Sequence, residues 1–154
     1  FVVAAAPSRS MSDYSSYIGG RESYVKVVFG QSYAVLRHAE AAVVNSGTAS
    51  LETALIGTPQ VVAYKSAEIN FLIAKQIIKI KYISLGNLIL NRTCFRELLQ
   101  FYFTPENVLE EVIRMIEDTE YRETILAGYK EIRDALGGRG SSAAVAKAMI
   151  EDMR

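Results

Sequence analysis

The sequence has little of the residue types that build disulfides, metal sites and redox centres. Its 154 residues include one cysteine, Cys94, and one histidine, His38. A single cysteine excludes an intrachain disulfide and any multi-cysteine metal site, and a lone histidine in a predicted helix favours a structural or surface role. No metal and no cofactor are therefore predicted. Neither residue has the sequence context of a nucleophilic catalytic pair, so no catalytic residue is predicted in this chain.

Charge excess and long apolar runs are also missing. The 17 basic and 17 acidic residues give a formal net charge of zero, so the basic excess typical of a nucleic-acid partner is absent. No apolar run reaches the roughly 18 residues that a membrane-spanning helix needs. The chain opens at Phe1, without methionine and inside an apparent buried strand. We therefore expect an amino-terminally truncated piece of a longer protein.

Short apolar runs alternate with helical segments along the first part of the chain. Each run is continuous, which is typical of parallel strands that are covered on both faces of a sheet. The spacing predicts an α/β fold with a Rossmann-like parallel sheet and helices on both faces. The predicted strands cover 1–6, 24–29, 42–44 and 60–64, and the predicted helices cover 10–18, 32–39 and 48–56.

The second part of the chain is mostly helical in pattern. We interpret 82–85 as β-like and 86–92 as a polar loop. One partial domain, 1–154, is predicted, with a Rossmann-like core over about 1–100 and carboxyl-terminal helices over about 101–154. The predicted helices of this part cover 69–79, 95–100, 104–117, 121–136 and 141–153.

A small-residue turn joins the third predicted strand to the helix that follows it. It is Ser46-Gly47-Thr48-Ala49-Ser50, and it leads into a helix that ends at Gly57 before Pro59. The first N–H groups of a helix have no partner inside the helix, and the helix dipole adds positive charge there. The pattern therefore indicates an anion site of the kind that holds phosphate. An ordinary serine- or threonine-capped helix explains the same residues about as well.

Other polar residues stand near predicted strand ends. Glu52 follows Thr48 by one helical turn and is placed to accept hydrogen bonds from a vicinal diol such as ribose. A glutamate stabilised by the helix dipole is an equally good interpretation. A polar block further on suits hydroxyls and an anion, although solvated loops have the same composition. Its members are Asn87, Arg92, Glu97 and Gln100.

Taken together, four blocks in order resemble the signature of the lipid-A-disaccharide synthase family over about the whole chain. The blocks are Ala5-Ala6-Pro7, Ser46-Gly47-Thr48-Ala49-Ser50-Leu51-Glu52 with Gly57-Thr58-Pro59 behind it, Tyr82-Ile83-Ser84-Leu85 with Asn87, and Glu97-Leu98-Leu99-Gln100. The Ser-Gly-Thr block alone is less specific, since related nucleotide-sugar enzymes carry similar turns. Two positions depart from the family pattern: Gly86 stands where proline is usual, which suggests a freer loop, and Ser50 stands where threonine is usual.

The resemblance implies the carboxyl-terminal, donor-binding domain of a GT-B glycosyltransferase. Such an enzyme transfers 2,3-diacylglucosamine from its UDP derivative to 2,3-diacylglucosamine 1-phosphate, with inversion, without a metal, at the cytoplasmic face of the inner membrane of Gram-negative bacteria. By position, Ser46–Ser50 would hold the diphosphate, Glu52 the ribose, and the block from Asn87 to Gln100 the active-site side of the donor. The general base would lie outside this chain, so the chain alone is predicted to be inactive.

The resemblance also sets the expected partners and the alternatives. The partners are UDP-2,3-diacylglucosamine, a lipid acceptor and the inner-membrane surface, with homodimer formation open and no nucleic acid. One alternative is another UDP-sugar GT-B enzyme, such as a 2-epimerase or a muramyl-pathway transferase. The other is a non-catalytic α/β module that uses the turn to bind an anion or a protein.

Overall fold

The computed structural model describes residues 1–65, 81–137 and 141–152, with no side-chain description for 141–145. The predicted helix over 69–79 lies outside these residues. Within them the chain forms an α/β fold of parallel strands and flanking helices. The strands are β1 (Val2–Ala5), β2 (Lys26–Phe29), β3 (Ala42–Asn45), β4 (Gln60–Tyr64) and β5 (Glu97–Leu99). The helices are α1 (Met11–Ile18), α2 (Ser32–His38), α3 (Thr48–Ile56), α4 (Leu85–Leu90), α5 (Pro105–Glu117), α6 (Thr119–Leu136) and α7 (Ser141–Asp152).

The five strands form two parallel sheets among the described residues. β1 pairs with β2, and β3, β4 and β5 pair in that order with β4 in the centre. All three strand pairs are parallel, as the continuous apolar runs predict. The carboxyl ends of β3, β4 and β5 therefore lie on one edge of the larger sheet.

The core lies on both faces of β4. Val61 and Val62 are adjacent, point to opposite faces and are both fully buried. Helices α3 and α5 each pack against β3 and β4, while α6 packs against α3, α4 and α5. The largest buried side chains around these strands are Phe95, Leu98, Met115, Ile125, Tyr129 and Ile132.

Helix α3 begins and ends where the glycines predict. Gly47 is the residue before its first turn, and Gly57 ends it in the left-handed conformation at φ 101°. Leu55 of this helix is exposed despite its apolar side chain. The fully buried face instead carries small side chains, which are Ser50, Thr53 and Ala54. Short side chains let α3 lie close to the sheet.

Three predicted segments after residue 81 are wrong. Residues 85–90 form helix α4 rather than a β-like run and a loop, and residues 97–99 form strand β5 rather than a helix. The pairing of β5 with β4 overrides the helical preference of a Glu-Leu-Leu run. Gly86 lies inside α4, where an added Cβ would stand 2.9 Å from the Phe95 ring. The expectation of a freer backbone at Gly86 is therefore also wrong, since glycine there permits close packing.

The carboxyl-terminal helices begin at capped turns. Thr104 accepts a hydrogen bond from the N–H of Asn107, and Pro105 is the first residue of α5, as predicted. Asp118 caps α6 in the same way through the N–H of Tyr121. Glu111 of α5 is fully buried, where it bonds Arg96 at 3.2 Å and the Tyr121 hydroxyl. This charged group ties β5, α5 and α6 together.

Candidate functional site

The turn between β3 and α3 lies on the carboxyl edge of the larger sheet. Gly47 has φ 133° and ψ −158°, a conformation open to glycine and to almost no other residue. No side chain caps the start of α3 within the described residues. Thr48 and Ala49 are exposed. The N–H groups of Thr48 and Ala49 therefore have no side-chain acceptor within the described residues, whereas the Ser50 N–H donates to the Gly47 carbonyl at 3.2 Å. Unpaired N–H groups at a helix start are the arrangement that binds anions.

The hydroxyl groups of the turn differ in what they can offer a ligand. Ser50 is fully buried and donates through its hydroxyl to the Gly47 carbonyl at 2.7 Å. Ser46 is half-buried and donates to the Ile83 carbonyl at 3.2 Å. Thr48 is the exposed hydroxyl of the three. The two serines thus shape the turn, and Thr48 is the side chain most open to a ligand.

A buried amide braces the turn against the sheet. Gln60 begins β4, is fully buried and donates to the Ser50 carbonyl at 2.8 Å. Its side-chain oxygen is the buried polar atom without a hydrogen-bond partner among the described residues. The first turn of α3 is therefore held both by Gln60 of β4 and by its own Ser50 hydroxyl. The sequence analysis did not identify Gln60, because a strand residue in an apolar run carries no site signal.

Glu52 faces a cavity on the same side of the sheet. Its half-buried side chain lines a space of about 450 Å³ together with residues 30–34, which are the link after β2 and the first residues of α2. Within the described residues its carboxylate makes no hydrogen bond or ion pair. The carboxylate is therefore open to a ligand with hydroxyl groups, as the predicted ribose role requires. Sequence reasoning did not find the 30–34 wall, whose only signal was Gly30 after a strand.

Asn87 and Glu97 form one internal hydrogen-bond network. Asn87 is fully buried, accepts from the N–H of Cys94 at 2.7 Å and donates to the Phe95 carbonyl at 2.9 Å. It also donates to the Glu97 carboxylate at 2.8 Å. Glu97 accepts further bonds from the Ser84 N–H and hydroxyl. The structure brings these two predicted site residues together, but their hydrogen bonds are directed into the fold.

The network connects to the turn through Ile83. The Ile83 N–H donates to Glu97 at 3.0 Å, while the Ile83 carbonyl accepts from Ser46 at 3.2 Å. One residue therefore joins the two groups of predicted site residues.

Burial in this region raises the pKa of the neighbouring Cys94 thiol to about 11, so the thiol is neutral and unreactive near pH 7.

Arg92 and Gln100 lie at two other places. Arg92 follows α4 and forms an ion pair with Glu131 of α6 at 2.7 Å, and this bond raises the pKa of the guanidinium. Gln100 follows β5 on the carboxyl edge and is buried with φ 51°. A non-glycine residue in this conformation is strained, and such strain clusters at functional sites.

A second cavity opens at the same edge. It has a volume of about 330 Å³ and is lined by residues at the ends of β3 and β4 together with Phe103. Lys65, the residue after β4, is exposed and contributes to this lining, so it adds positive charge next to the turn. The sequence analysis did not single out Lys65.

The described residues hold neither a group of metal ligands nor a membrane-spanning helix. No three or more His, Cys, Asp or Glu side chains in the described ranges are grouped as ligands for a metal ion. None of the helices in those ranges combines the length and the hydropathy needed to cross a bilayer.

The fold and the edge site define the class of this protein. It is a Rossmann-like α/β protein with a glycine turn and an uncapped helix start at the carboxyl ends of parallel strands, where such folds hold nucleotides. Comparison with known sequences narrows the class. The profile of the family described as lipid-A-disaccharide synthetase matches residues 20–150, and the chain belongs to this family.

Individual relatives agree with the family match. A lipid-A-disaccharide synthase of Anaeromyxobacter dehalogenans strain 2CP-1 is 34% identical over 155 residues, which cover 100% of this chain and 40% of the relative. One of Trichlorobacter lovleyi is 33% identical over 141 residues, covering 92% of this chain and 37% of the relative. The chain therefore spans about two-fifths of the length of these relatives.

Proposed function

We propose that this chain is the donor-nucleotide part of an inverting GT-B glycosyltransferase, a lipid-A-disaccharide synthase. The observation that carries the proposal is the uncapped start of α3 behind Gly47, on the carboxyl edge of a parallel sheet. That turn presents outward N–H groups to an anion, and an adjacent cavity presents the free carboxylate of Glu52. A nucleoside diphosphate has the matching pair of groups, a charged diphosphate and a ribose diol.

The diphosphate is proposed to lie on Ser46–Ser50. The N–H groups of Thr48 and Ala49 and the Thr48 hydroxyl are the exposed donors of the turn. Gly47 lets the phosphate oxygens approach the backbone, because no side chain stands above it. Lys65 on the neighbouring strand end supplies favourable charge. Ser46 and Ser50 keep the turn in shape through bonds to Ile83 and Gly47.

The nucleoside is proposed to occupy the cavity beside Glu52. A space of about 450 Å³ is of the size that holds small ligands in proteins. The Glu52 carboxylate accepts hydrogen bonds from both ribose hydroxyls, and the backbone of 30–34 forms the opposite wall.

The remaining predicted residues take different roles in this proposal. Gln100 is the candidate for direct contact with the sugar side of the donor, whereas Arg92 is held in its ion pair with Glu131. Asn87 and Glu97 are positioning residues, because their side chains hold the Ile83–Ser84 segment that supports Ser46. The position of Gln100 directly after β5, which pairs with β4, supports this role.

In the whole protein, the proposed reaction forms lipid A disaccharide 1-phosphate and UDP. The donor is UDP-2,3-diacylglucosamine, the acceptor is 2,3-diacylglucosamine 1-phosphate, and neither metal nor cofactor takes part. In this proposal Ser46–Ser50 and Glu52 bind UDP, the leaving group, while the general base belongs to a part of the protein outside these residues. The chain alone is therefore expected to form no disaccharide. We place the whole protein at the cytoplasmic face of the inner membrane, as a peripheral protein that is either a monomer or a homodimer.

A UDP titration tests the donor site. Amide exchange of residues 46–52 is followed by NMR in the 154-residue chain with UDP and with inorganic phosphate at equal concentration. The proposal expects protection by UDP that phosphate does not reproduce. Equal protection by UDP and by phosphate would instead indicate an anion-binding turn in a non-catalytic module. No binding of any uridine nucleotide by the chain or by its full-length parent would end the proposal.

Glu52→Ala tests the ribose role against the helix-dipole interpretation. The matched control is Glu123→Ala, because Glu123 is the fifth residue of α6 as Glu52 is of α3. Loss of two charged hydrogen bonds to ribose weakens UDP binding by about 10- to 100-fold in the first variant only. Both variants are expected to lose less than about 0.5 kcal/mol of stability. An unchanged UDP affinity together with a lowered melting temperature for Glu52→Ala would favour the helix-dipole role.

A further inference from the structure

Three consecutive aromatic residues follow Gln100 on the carboxyl edge of the larger sheet. They are Phe101, Tyr102 and Phe103, and their side chains are 79%, 71% and 38% exposed. Aromatic side chains carry large apolar surfaces, and contiguous exposed apolar residues mark places where a protein contacts a ligand or a partner. This aromatic turn, residues 101–103, therefore needs an explanation beyond the packing of the fold.

Hydrogen bonds of the backbone hold the aromatic turn in one conformation. The Phe103 N–H donates to the Gln100 carbonyl at 3.2 Å, and the Thr104 N–H donates to the Tyr102 carbonyl at 3.0 Å. The Asn107 side-chain amide donates to the same Tyr102 carbonyl at 2.9 Å. These bonds use main-chain groups of the turn, so its exposed rings stand on a fixed support and lose little freedom when a ligand covers them.

Phe103 connects the aromatic turn to the neighbouring strand ends. Its side chain lines the cavity of about 330 Å³ at the ends of β3 and β4. Three further apolar side chains and two polar ones line the same space, and they are Val43, Val44, Ala63, Asn45 and Lys65. Asn45 directly precedes Ser46. The aromatic turn therefore adjoins the turn that is proposed to hold the diphosphate.

The strand order sets a direction along this edge. Because the larger sheet runs β3, β4, β5, the Ser46–Ser50 turn, Lys65 and the aromatic turn follow one another at the carboxyl ends of the strands. Strand spacing of roughly 4.8 Å puts β5 about 10 Å from β3. The wall of the Glu52 cavity, residues 30–34, belongs instead to the unit of β2 and α2. A nucleotide with its ribose at Glu52 and its diphosphate on the turn therefore directs the attached sugar toward β4 and β5.

The chemical character of the edge changes in the same direction. Lys65 at the end of β4 is charged, Gln100 at the end of β5 is polar, and the aromatic turn behind it contains no charged residue. A charged group, a polar group and an apolar surface thus follow in the order of a diphosphate, a sugar and a hydrocarbon chain on that sugar.

We propose that the aromatic turn binds an acyl chain of the donor sugar and contributes to the selection of an acylated donor. The inference rests on the proposed function, in which the donor is UDP-2,3-diacylglucosamine. Phe101 and Tyr102 cover the chain with their rings, and Phe103 extends this apolar surface toward the strand ends. Each CH₂ group that is removed from water there strengthens binding by about fourfold.

Two donors that differ only in acyl length test the proposal in the 154-residue chain. The probes are UDP-2,3-dihexanoylglucosamine and UDP-2,3-diacetylglucosamine, with UDP itself as the reference, in calorimetric titrations. The wild-type chain is expected to bind the dihexanoyl donor about 10-fold or more tighter than the diacetyl donor. The double variant Phe101→Ala/Tyr102→Ala should lose most of this difference. Its affinities for the diacetyl donor and for UDP should stay within about twofold of wild type.

Two control variants separate the acyl contact from other effects. Phe101→Leu/Tyr102→Leu keeps an apolar surface and should keep most of the preference for the dihexanoyl donor. Tyr17→Ala removes a 77% exposed aromatic side chain on α1, which lies outside the larger sheet, and should bind both donors as wild type does. Melting temperatures should agree among all four proteins, because the substituted side chains are exposed.

Several results would overturn the proposal. One is a wild-type chain that binds UDP but does not prefer the dihexanoyl donor. Another is a double variant that keeps the whole preference, or one that loses both donors equally. Sedimentation with phosphatidylglycerol vesicles covers the membrane alternative: loss of vesicle binding with the donor preference intact would assign the aromatic turn to the lipid surface. A wild-type chain that binds no UDP would instead overturn the proposed function together with this inference.

Discussion

The Glu97 carboxylate offers a quantitative test of how the fold supports the candidate site. Glu97 accepts four hydrogen bonds, from the Ile83 N–H, the Ser84 N–H and hydroxyl, and the Asn87 amide. Ser84 and Asn87 are fully buried, so their donors have no access to water when the acceptor is removed. Substitution of Glu97 therefore lowers stability mainly because it leaves these buried donors without an acceptor.

The expected magnitudes differ between two substitutions. Glu97→Ala leaves several buried donors unsatisfied at about 1–3 kcal/mol each, and partial relaxation limits the total to about 3–5 kcal/mol. Glu97→Gln keeps one oxygen for Ser84 and Asn87 but places an NH₂ group against the Ile83 N–H. The loss there is one bond, about 1–2 kcal/mol, or a melting temperature lower by about 2–8 °C.

Urea unfolding and a UDP titration on the same samples measure both consequences. Glu110→Gln is the control, because Glu110 is an exposed glutamate that pairs with Arg96 at 3.6 Å and should change stability by less than about 0.5 kcal/mol. Glu97→Gln should also speed amide exchange at Ile83, and UDP binding should weaken because Ile83 supports Ser46. A Glu97→Gln protein with wild-type stability and weakened UDP binding would refute this reasoning and indicate direct contact between Glu97 and the donor.

Three further predictions concern single positions. Gly47→Ala should lower stability by about 1–3 kcal/mol in urea unfolding, because φ 133° is strained for any residue with a Cβ; Ala49→Gly at an exposed helical position is the comparison, at about 1 kcal/mol. Gly128→Ala should destabilise by more than about 2 kcal/mol, because the new Cβ would stand 2.2 Å from the Cys94 sulfur, and Cys94→Ala in the same chain should restore much of the loss. The pKa of Cys94 is raised from 9.0 to about 11 in the fold, so the stability it contributes is complete below pH 9 and falls as the pH rises to 11, by up to about 1.4 kcal/mol per pH unit. Urea midpoints at pH 8 and 10.5 measure this fall, which Cys94→Ala should reduce.

The parts of the fold that sequence reasoning predicted well have local causes. Gly47 and Gly57 bound α3, and Thr104 with Pro105 starts α5, because backbone conformation and capping depend on neighbouring residues only. Continuous apolar runs also predicted the parallel strands. The position of the candidate turn at a strand end follows directly from these elements.

The parts that sequence reasoning missed depend on contacts distant in the chain. Glu97–Leu99 has a helical local preference and becomes a strand only because β4 offers it a pairing edge. The sequence pattern predicts Asn87 in a loop, whereas the structure places it in α4, where its buried side chain bonds the backbone of Cys94 and Phe95. The cavity wall at 30–34 reaches Glu52 only after the two strand–helix units come together. None of these contacts is encoded in a short window of sequence.

The burial of Asn87 changes how genetic evidence on this protein should be interpreted. Its amide bonds join α4 to the entry of β5, and Gly86 packs α4 against Phe95 without space for a methyl group. Substitutions at these positions lower the population of folded molecules, which cells convert into lower protein abundance through proteolysis. A functional defect of such variants in cells therefore reflects the lower protein level first. Only variants compared at equal folded concentration can show whether the amide also serves the sugar donor.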